Sequence, residues 1–150
     1  MEIVELIDRA LVESSVAAGP RNITASQWKS CDRAMWFNFR GATAYKHKST
    51  TLRTFAVGHA LEPLIVDWLK AAGLKISQQQ AELKGKWGQA LGHIDGIALY
   101  DGQFYLLEIK TANNARFKEM CKSGPPSYYM AQMQLYMHHS GQLSTAGRQL

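Results

Sequence analysis

The chain has 150 residues, 46% hydrophobic and 19% charged, the length of one domain with enough apolar side chains for a core. No run of about 18 apolar residues occurs, and the acid-bearing start MEIVELIDRALVESS lacks the basic opening of a secretory signal, so neither a membrane span nor export is expected. The net charge of +5 suits an anionic partner such as nucleic acid without requiring one, while the isolated Cys31 and Cys121 offer no zinc-finger or cluster spacing and suit a reduced, cytoplasmic setting.

In chain order, Ile3, Leu6, Ile7, Ala10 and Leu11 fall at helical spacing, giving an N-terminal helix within 1–22 that Gly19-Pro20 ends. Thr24 or Ser26 can cap a second helix running to about Phe39, with Trp28, Cys31, Met35 and Phe39 on one stripe and Gly41 as the stop. Residues 42–53 are polar and basic and read as a loop. A longer helix follows within 54–73, with Leu61, Leu64, Ile65, Trp68, Leu69 and Ala72 as its apolar stripe and Gly73 at its end. Pro63 either lies in its first turn or interrupts a longer helix. Residues 75–87 read as one strand, then a hairpin turns at Asp101-Gly102. A short basic helix, a Pro-terminated loop within 113–126 and a last helix over 127–140 complete an α/β domain with a small sheet.

The hairpin 92-GHIDGIALYDGQFYLLEIKTA-112 carries the chemistry. With Asp101-Gly102 as a two-residue turn, Tyr100 faces Gln103, Leu99 faces Phe104 and Ile97 faces Leu106. The same register sets Asp95 opposite Glu108, Ile94 opposite Ile109 and His93 opposite Lys110, with the two acids roughly 5 Å apart. Lys110 shares the face of Glu108 because strand side chains alternate. Two carboxylates so close repel unless something positive joins them. A divalent cation does this, Mg²⁺ or Mn²⁺ by the hardness of the donors; Lys110 alone, at a wet sheet edge, does it too.

The run Gly-His-Ile-Asp95 followed by Glu108-Ile-Lys110-Thr resembles the PD-(D/E)XK nuclease superfamily, in particular its RecB-type and phage exonuclease branch, which includes lambda exonuclease. Gly58-His59-Ala-Leu-Glu62 is similar to that branch's upstream helix motif. Gln132-Met-Gln-Leu-Tyr136 is similar to its QxxxY motif, and Ile23-Thr-Ala-Ser26 to its DNA-proximal N-terminal helix. An EXK triplet alone is a weak signal; five segments in the branch's order, over about 23–141, are specific together. The resemblance implies a restriction-endonuclease-like core, a small central mixed sheet flanked by helices. It implies that Glu62, Asp95, Glu108 and the Ile109 carbonyl hold Mg²⁺ or Mn²⁺, with His59 beside them, and that Lys110 orients or activates the attacking water. Gln132 and Tyr136 then flank the site as further catalytic residues.

Phosphodiester hydrolysis needs an acidified water and a place for developing negative charge, which a metal beside a lysine supplies. Ser26, Arg33, Arg40 and Arg53, with Lys46 and Lys48, are candidates for contacting DNA phosphates. Trp36, Tyr128 and Tyr129 are suited either to base stacking or to packing. His93 is expected to be peripheral. The tail 142–150 is short and polar and does not read as the strand that follows the QxxxY helix in the resembled fold. That strand is therefore expected to be missing from the single nuclease domain 1–150, and the sheet edge left open invites a second copy of the chain. The reading is a Mg²⁺- or Mn²⁺-dependent deoxyribonuclease, an exonuclease of phage recombination or repair, in the cytoplasm of a bacterium or phage-infected host and working with DNA and a recombination partner protein. A non-catalytic nucleic-acid-binding or accessory protein on the same fold, and an endonuclease of the same superfamily, remain as alternatives.

Overall fold

The computed structural model describes residues 3–15, 22–28, 30–42 and 47–140. Helix α1 spans Ile3–Ser14, a single 3₁₀ turn Ala25–Gln27, α2 Asp32–Phe39 and α3 Ser49–Ala71. Strands β1 (Lys75–Ser77), β2 (Ala81–Lys84), β3 (Ala90–Ile94), β4 (Gly96–Tyr100) and β5 (Gln103–Leu107) follow, then α4 (Asn114–Ser123) and α5 (Ser127–Ser140). The fold is α/β, with small antiparallel sheets flanked by helices, consistent with a restriction-endonuclease-like core. Every described pairing is antiparallel, so the mixed character expected of the sheet is not seen in these strands. The tail 142–150 lies outside the described residues. Among those residues no helix is long and apolar enough to cross a membrane.

The hairpin register holds from Tyr100↔Gln103 to Gly96↔Leu107. Asp101 and Gly102 take φ of 48° and 74°, the left-handed pair that a type I′ turn needs. The expected continuation of the ladder fails. The chain bends at Asp95, and β3 leaves to pair with β2, so Ile94 faces Ala81 and His93 faces Glu82 rather than Ile109 and Lys110. The single strand expected over 75–87 is likewise two, β1 on β4 and β2 on β3, joined through a turn at Gln78–Gln80. The sheet therefore divides into a three-stranded part, β1-β4-β5, and a two-stranded part, β2-β3. A run of alternating apolar residues announces strands but does not say where the chain changes partner.

The helices also differ from their sequence boundaries. Thr24 closes only the 3₁₀ turn, its N–H donating to Gln27 Oε1 at 3.1 Å, and α2 starts afresh after Cys31. Helix α3 begins five residues before Thr54, at Ser49, and runs through Pro63, whose missing N–H leaves the carbonyl of His59 without its usual helical donor. Gly73, at φ 99°, ends the segment and donates to Lys70 O at 2.9 Å. The apolar stripe expected on α3 is not the buried one. Leu61, Leu64 and Trp68 are exposed, and Val66 is the buried side chain. Ile3, Leu6 and Ile7 of α1 stay exposed too.

The core joins the 3₁₀ turn, both parts of the sheet and the last helix through Ala25, Leu83, Ile94, Ile97 and Tyr136. Tyr136 reaches under β3 because residue 92 has no side chain. A Cβ on Gly92 would overlap the Tyr136 hydroxyl and lie 3.2 Å from the ring, and φ there is 141°. Gly92→Ala should therefore lower stability by about 2 kcal/mol, from overpacking and backbone strain together. The urea midpoint measures this, and an unchanged midpoint would show that α5 is free to shift away.

Candidate active site

Five separate pieces of chain deliver polar side chains to one cleft of about 750 Å³, the turn carrying Gln79 and Gln80 among them. Helix α3 contributes His59 and Glu62. The bend between β3 and β4 contributes Asp95, and the segment leaving β5 contributes Glu108, Ile109 and Lys110. Helix α5 contributes Gln132. Gln132 and Tyr136 are one helical turn apart and both buried, so the face of α5 that enters the core also reaches the cleft.

Glu108 has only 8% of its side chain exposed. Its Oε1 pairs with the Lys110 ammonium and accepts from Gln132 Nε2 at 2.9 Å, while its Oε2 is buried with no hydrogen-bond partner among the described residues. Asp95 is fastened at the place where the ladder stops, its Oδ2 accepting from the Ile109 backbone N–H at 2.5 Å. Its Oδ1 lies 3.5 Å from Gln80 Nε2, and the same Gln80 nitrogen donates to Glu62 Oε1. One amide thus spans two acids, and one backbone N–H ties the third segment to them.

The electrostatics follow from burial. Desolvation raises the Glu108 carboxyl above its ordinary value, with Asp95 adding to the rise and Lys110 and Gln132 opposing it. Burial pulls the Lys110 ammonium down, yet its hydrogen bond and charge attraction to Glu108, with Asp95 beyond, leave it raised overall. The Tyr136 hydroxyl is raised by burial, with Gln132 acting against that and Glu108 with it.

The donors suit a hard divalent cation: three carboxylates line one cleft, and one of their oxygens is buried without a hydrogen-bond donor among the described residues. An orphaned carboxylate oxygen is costly where a neutral interior would do. Glu62, Asp95 and Glu108 would hold the ion. Among the described residues, however, no three His, Cys, Asp or Glu side chains stand close enough to hold it as they are placed. Gln80 sits between two of the three. His59 and His93 also line the cleft, both on exposed residues.

The residues expected to meet DNA lie elsewhere. Ser26 is exposed and its hydroxyl is 3.0 Å from that of Thr24. The guanidinium of Arg33 lies over Phe37 at 5.7 Å and that of Arg40 over Trp36 at 6.0 Å, while Arg53 pairs with Asp8 of α1 at 2.8 Å. None of the four lines the cleft. Lys46 falls outside the described residues. Sequence reasoning missed Gln80, which sits in the run Gln78-Gln79-Gln80 and belongs to no recognisable spacing. It also missed Arg116, which donates to the Tyr128 hydroxyl and lies 6.0 Å from the Tyr129 ring, itself 5.6 Å from the Lys110 ammonium. A lone arginine on a basic helix carries no signal of that stacking.

A family profile described as the YqaJ-like viral recombinase domain matches residues 14–143. No curated protein and no solved structure matches the chain.

Gln132→Leu keeps the bulk but removes a donor from a buried carboxylate that already has one oxygen unpartnered. Stability without divalent ions should fall by about 1–3 kcal/mol, measured by urea unfolding at neutral pH. A midpoint equal to that of the parent would mean that Gln132 does not hold Glu108.

Proposed function

Since the chain belongs to the YqaJ-like viral recombinase family, a PD-(D/E)XK, lambda-exonuclease-like family of phage recombination nucleases that act on DNA, we propose that it is itself a Mg²⁺- or Mn²⁺-dependent deoxyribonuclease, hydrolysing phosphodiester bonds from DNA ends. The observation that carries this reading is the buried, unpartnered Glu108 Oε2 in a cleft with Asp95, Glu62 and the Lys110 ammonium.

In this reading Glu62, Asp95 and Glu108 hold the cation, with the Ile109 carbonyl and His59 as further donors. The cation, when bound, acidifies a water and stabilises charge on the phosphate. The chain's own residues do the rest. Asp95 is kept in place by the Ile109 N–H and Glu108 by Gln132, so both ligands are oriented before substrate arrives. Lys110, partly exposed at the cleft, orients the attacking water and places positive charge against the phosphate oxygens. Its neighbour Tyr129, itself stacked against Arg116, limits where the ammonium can go. Tyr136 anchors α5 beneath the site. Hydrolysis makes a bond from water oxygen to phosphorus and breaks the phosphorus–oxygen bond to the leaving sugar oxygen, which takes up the proton that the water gives up.

Three outcomes separate the readings. With Mg²⁺ or Mn²⁺, end-labelled linear DNA should be degraded and closed circular DNA spared. Cutting of the circle would indicate an endonuclease, and loss of neither would leave a DNA-binding accessory protein. Lys110→Ala should reduce turnover about 100-fold or more at saturating Mn²⁺ while cation binding persists; near-parental rates there would rule out a catalytic lysine. Mn²⁺ should raise the melting temperature because it binds only the folded site. Asp95→Ala should abolish that rise, and a rise of the parental size in the variant would refute the ligand assignment.

A further inference from the structure

We propose that Gln80 is a positioning residue of the cation site, an amide latch that holds Glu62 and Asp95 together when no cation is present and must leave when one enters. The inference rests on the cation-site reading above and adds a residue that no motif contains.

The two oxygens nearest the Gln80 amide belong to carboxylates, which only accept hydrogen bonds, so the NH₂ end faces them. An amide nitrogen has no lone pair to give a metal. It therefore stands between Glu62 and Asp95 as a weak substitute for a cation, donating to one acid and lying 3.5 Å from the other. A cation drawing on both acids needs that space, and the amide is displaced.

The backbone shows that Gln80 is placed there at a cost. Gln78 and Gln80 take φ of 52° and 53°, a region that side chains other than Gly, Asn and Asp seldom adopt. The turn they form joins β1 to β2, strands of different parts of the sheet. It is pinned to α3, the helix that carries Glu62, by Lys70 Nζ donating to Gln79 Oε1 at 3.2 Å. Strained residues of this kind persist where the surroundings demand them, and they gather at functional sites. Here the strain aims one amide at two acids. Gln80 is exposed, so its side chain contributes nothing to the core.

The latch and a plain structural role move cation affinity in opposite directions. If the amide only braced the acids in their binding positions, or if it bound the ion through its oxygen, removing it would weaken binding. If it competes with the ion, removing it tightens binding, by the strength of the hydrogen bonds no longer broken. For charge-assisted bonds at an exposed site this amounts to about five- to tenfold. Mn²⁺ titration by calorimetry, together with melting curves, should be run on the parent chain, Gln80→Ala, Gln80→Asn and Asp95→Ala. Asn accepts the left-handed backbone and keeps an amide, but is one methylene too short to span both acids.

The expected result is tighter Mn²⁺ binding in both Gln80 variants and, for Gln80→Ala, a lower melting temperature than the parent without cation, the gap narrowing at saturating Mn²⁺. Equal or weaker Mn²⁺ binding in both variants, with the parent binding and Asp95→Ala not, overturns the latch and leaves the cation site standing. Absence of binding in every chain, or binding that Asp95→Ala does not disturb, overturns both.

Discussion

The bond from the Ile109 N–H to Asp95 Oδ2 is the constraint on which the site depends. It forms one step beyond the last hairpin pair, Gly96↔Leu107, where the ladder stops and a backbone donor would otherwise go unused. The donor is satisfied by a side chain instead of a carbonyl, and that side chain is drawn across to the segment carrying Glu108 and Lys110. Had the hairpin continued in register, Ile94 would occupy this end of the sheet. The bend at Asp95 sends Ile94 into the core, fully buried against β2, and leaves the acid at the cleft.

Electrostatic cost is distributed among the members of the site. Glu108 has a buried carboxylate and takes a lysine and an amide on one oxygen, leaving the other unpartnered among the described residues. Glu62 and Asp95 share a single amide from a strained turn. A site built only for stability would contain fewer acids and no left-handed glutamines, and functional sites commonly trade stability in this way. The small core on the far side, where Tyr136 lies under the side-chain-free Gly92, is what holds α5 and hence Gln132 in place.

Much of this was legible in the chain. Asp-Gly set the turn because few other dipeptides accept two positive φ values, and alternation then set the hairpin register. The last two helices, with Asn113 capping the first of them through its side chain, follow their sequence signals closely. Those features rest on interactions between residues near in sequence. The same local rules misplaced the start of α3 and read one helix over 24–39 where a 3₁₀ turn and a short helix stand, because a capping residue marks a helix start without fixing how far the helix runs.

The sequence by itself determined which chemical groups are available and the hairpin register from Tyr100↔Gln103 to Gly96↔Leu107, since turn geometry and a two-residue period are short-range properties. Only the tertiary structure decided that β3 leaves that hairpin for β2, that Val66 rather than the Leu61 stripe is buried, and that Gln80 enters the site while Arg53 is spent on Asp8. These outcomes depend on which surfaces meet between segments far apart in the chain. Periodicity says only that a residue has a face; what that face lies against is settled when the whole set of elements packs together.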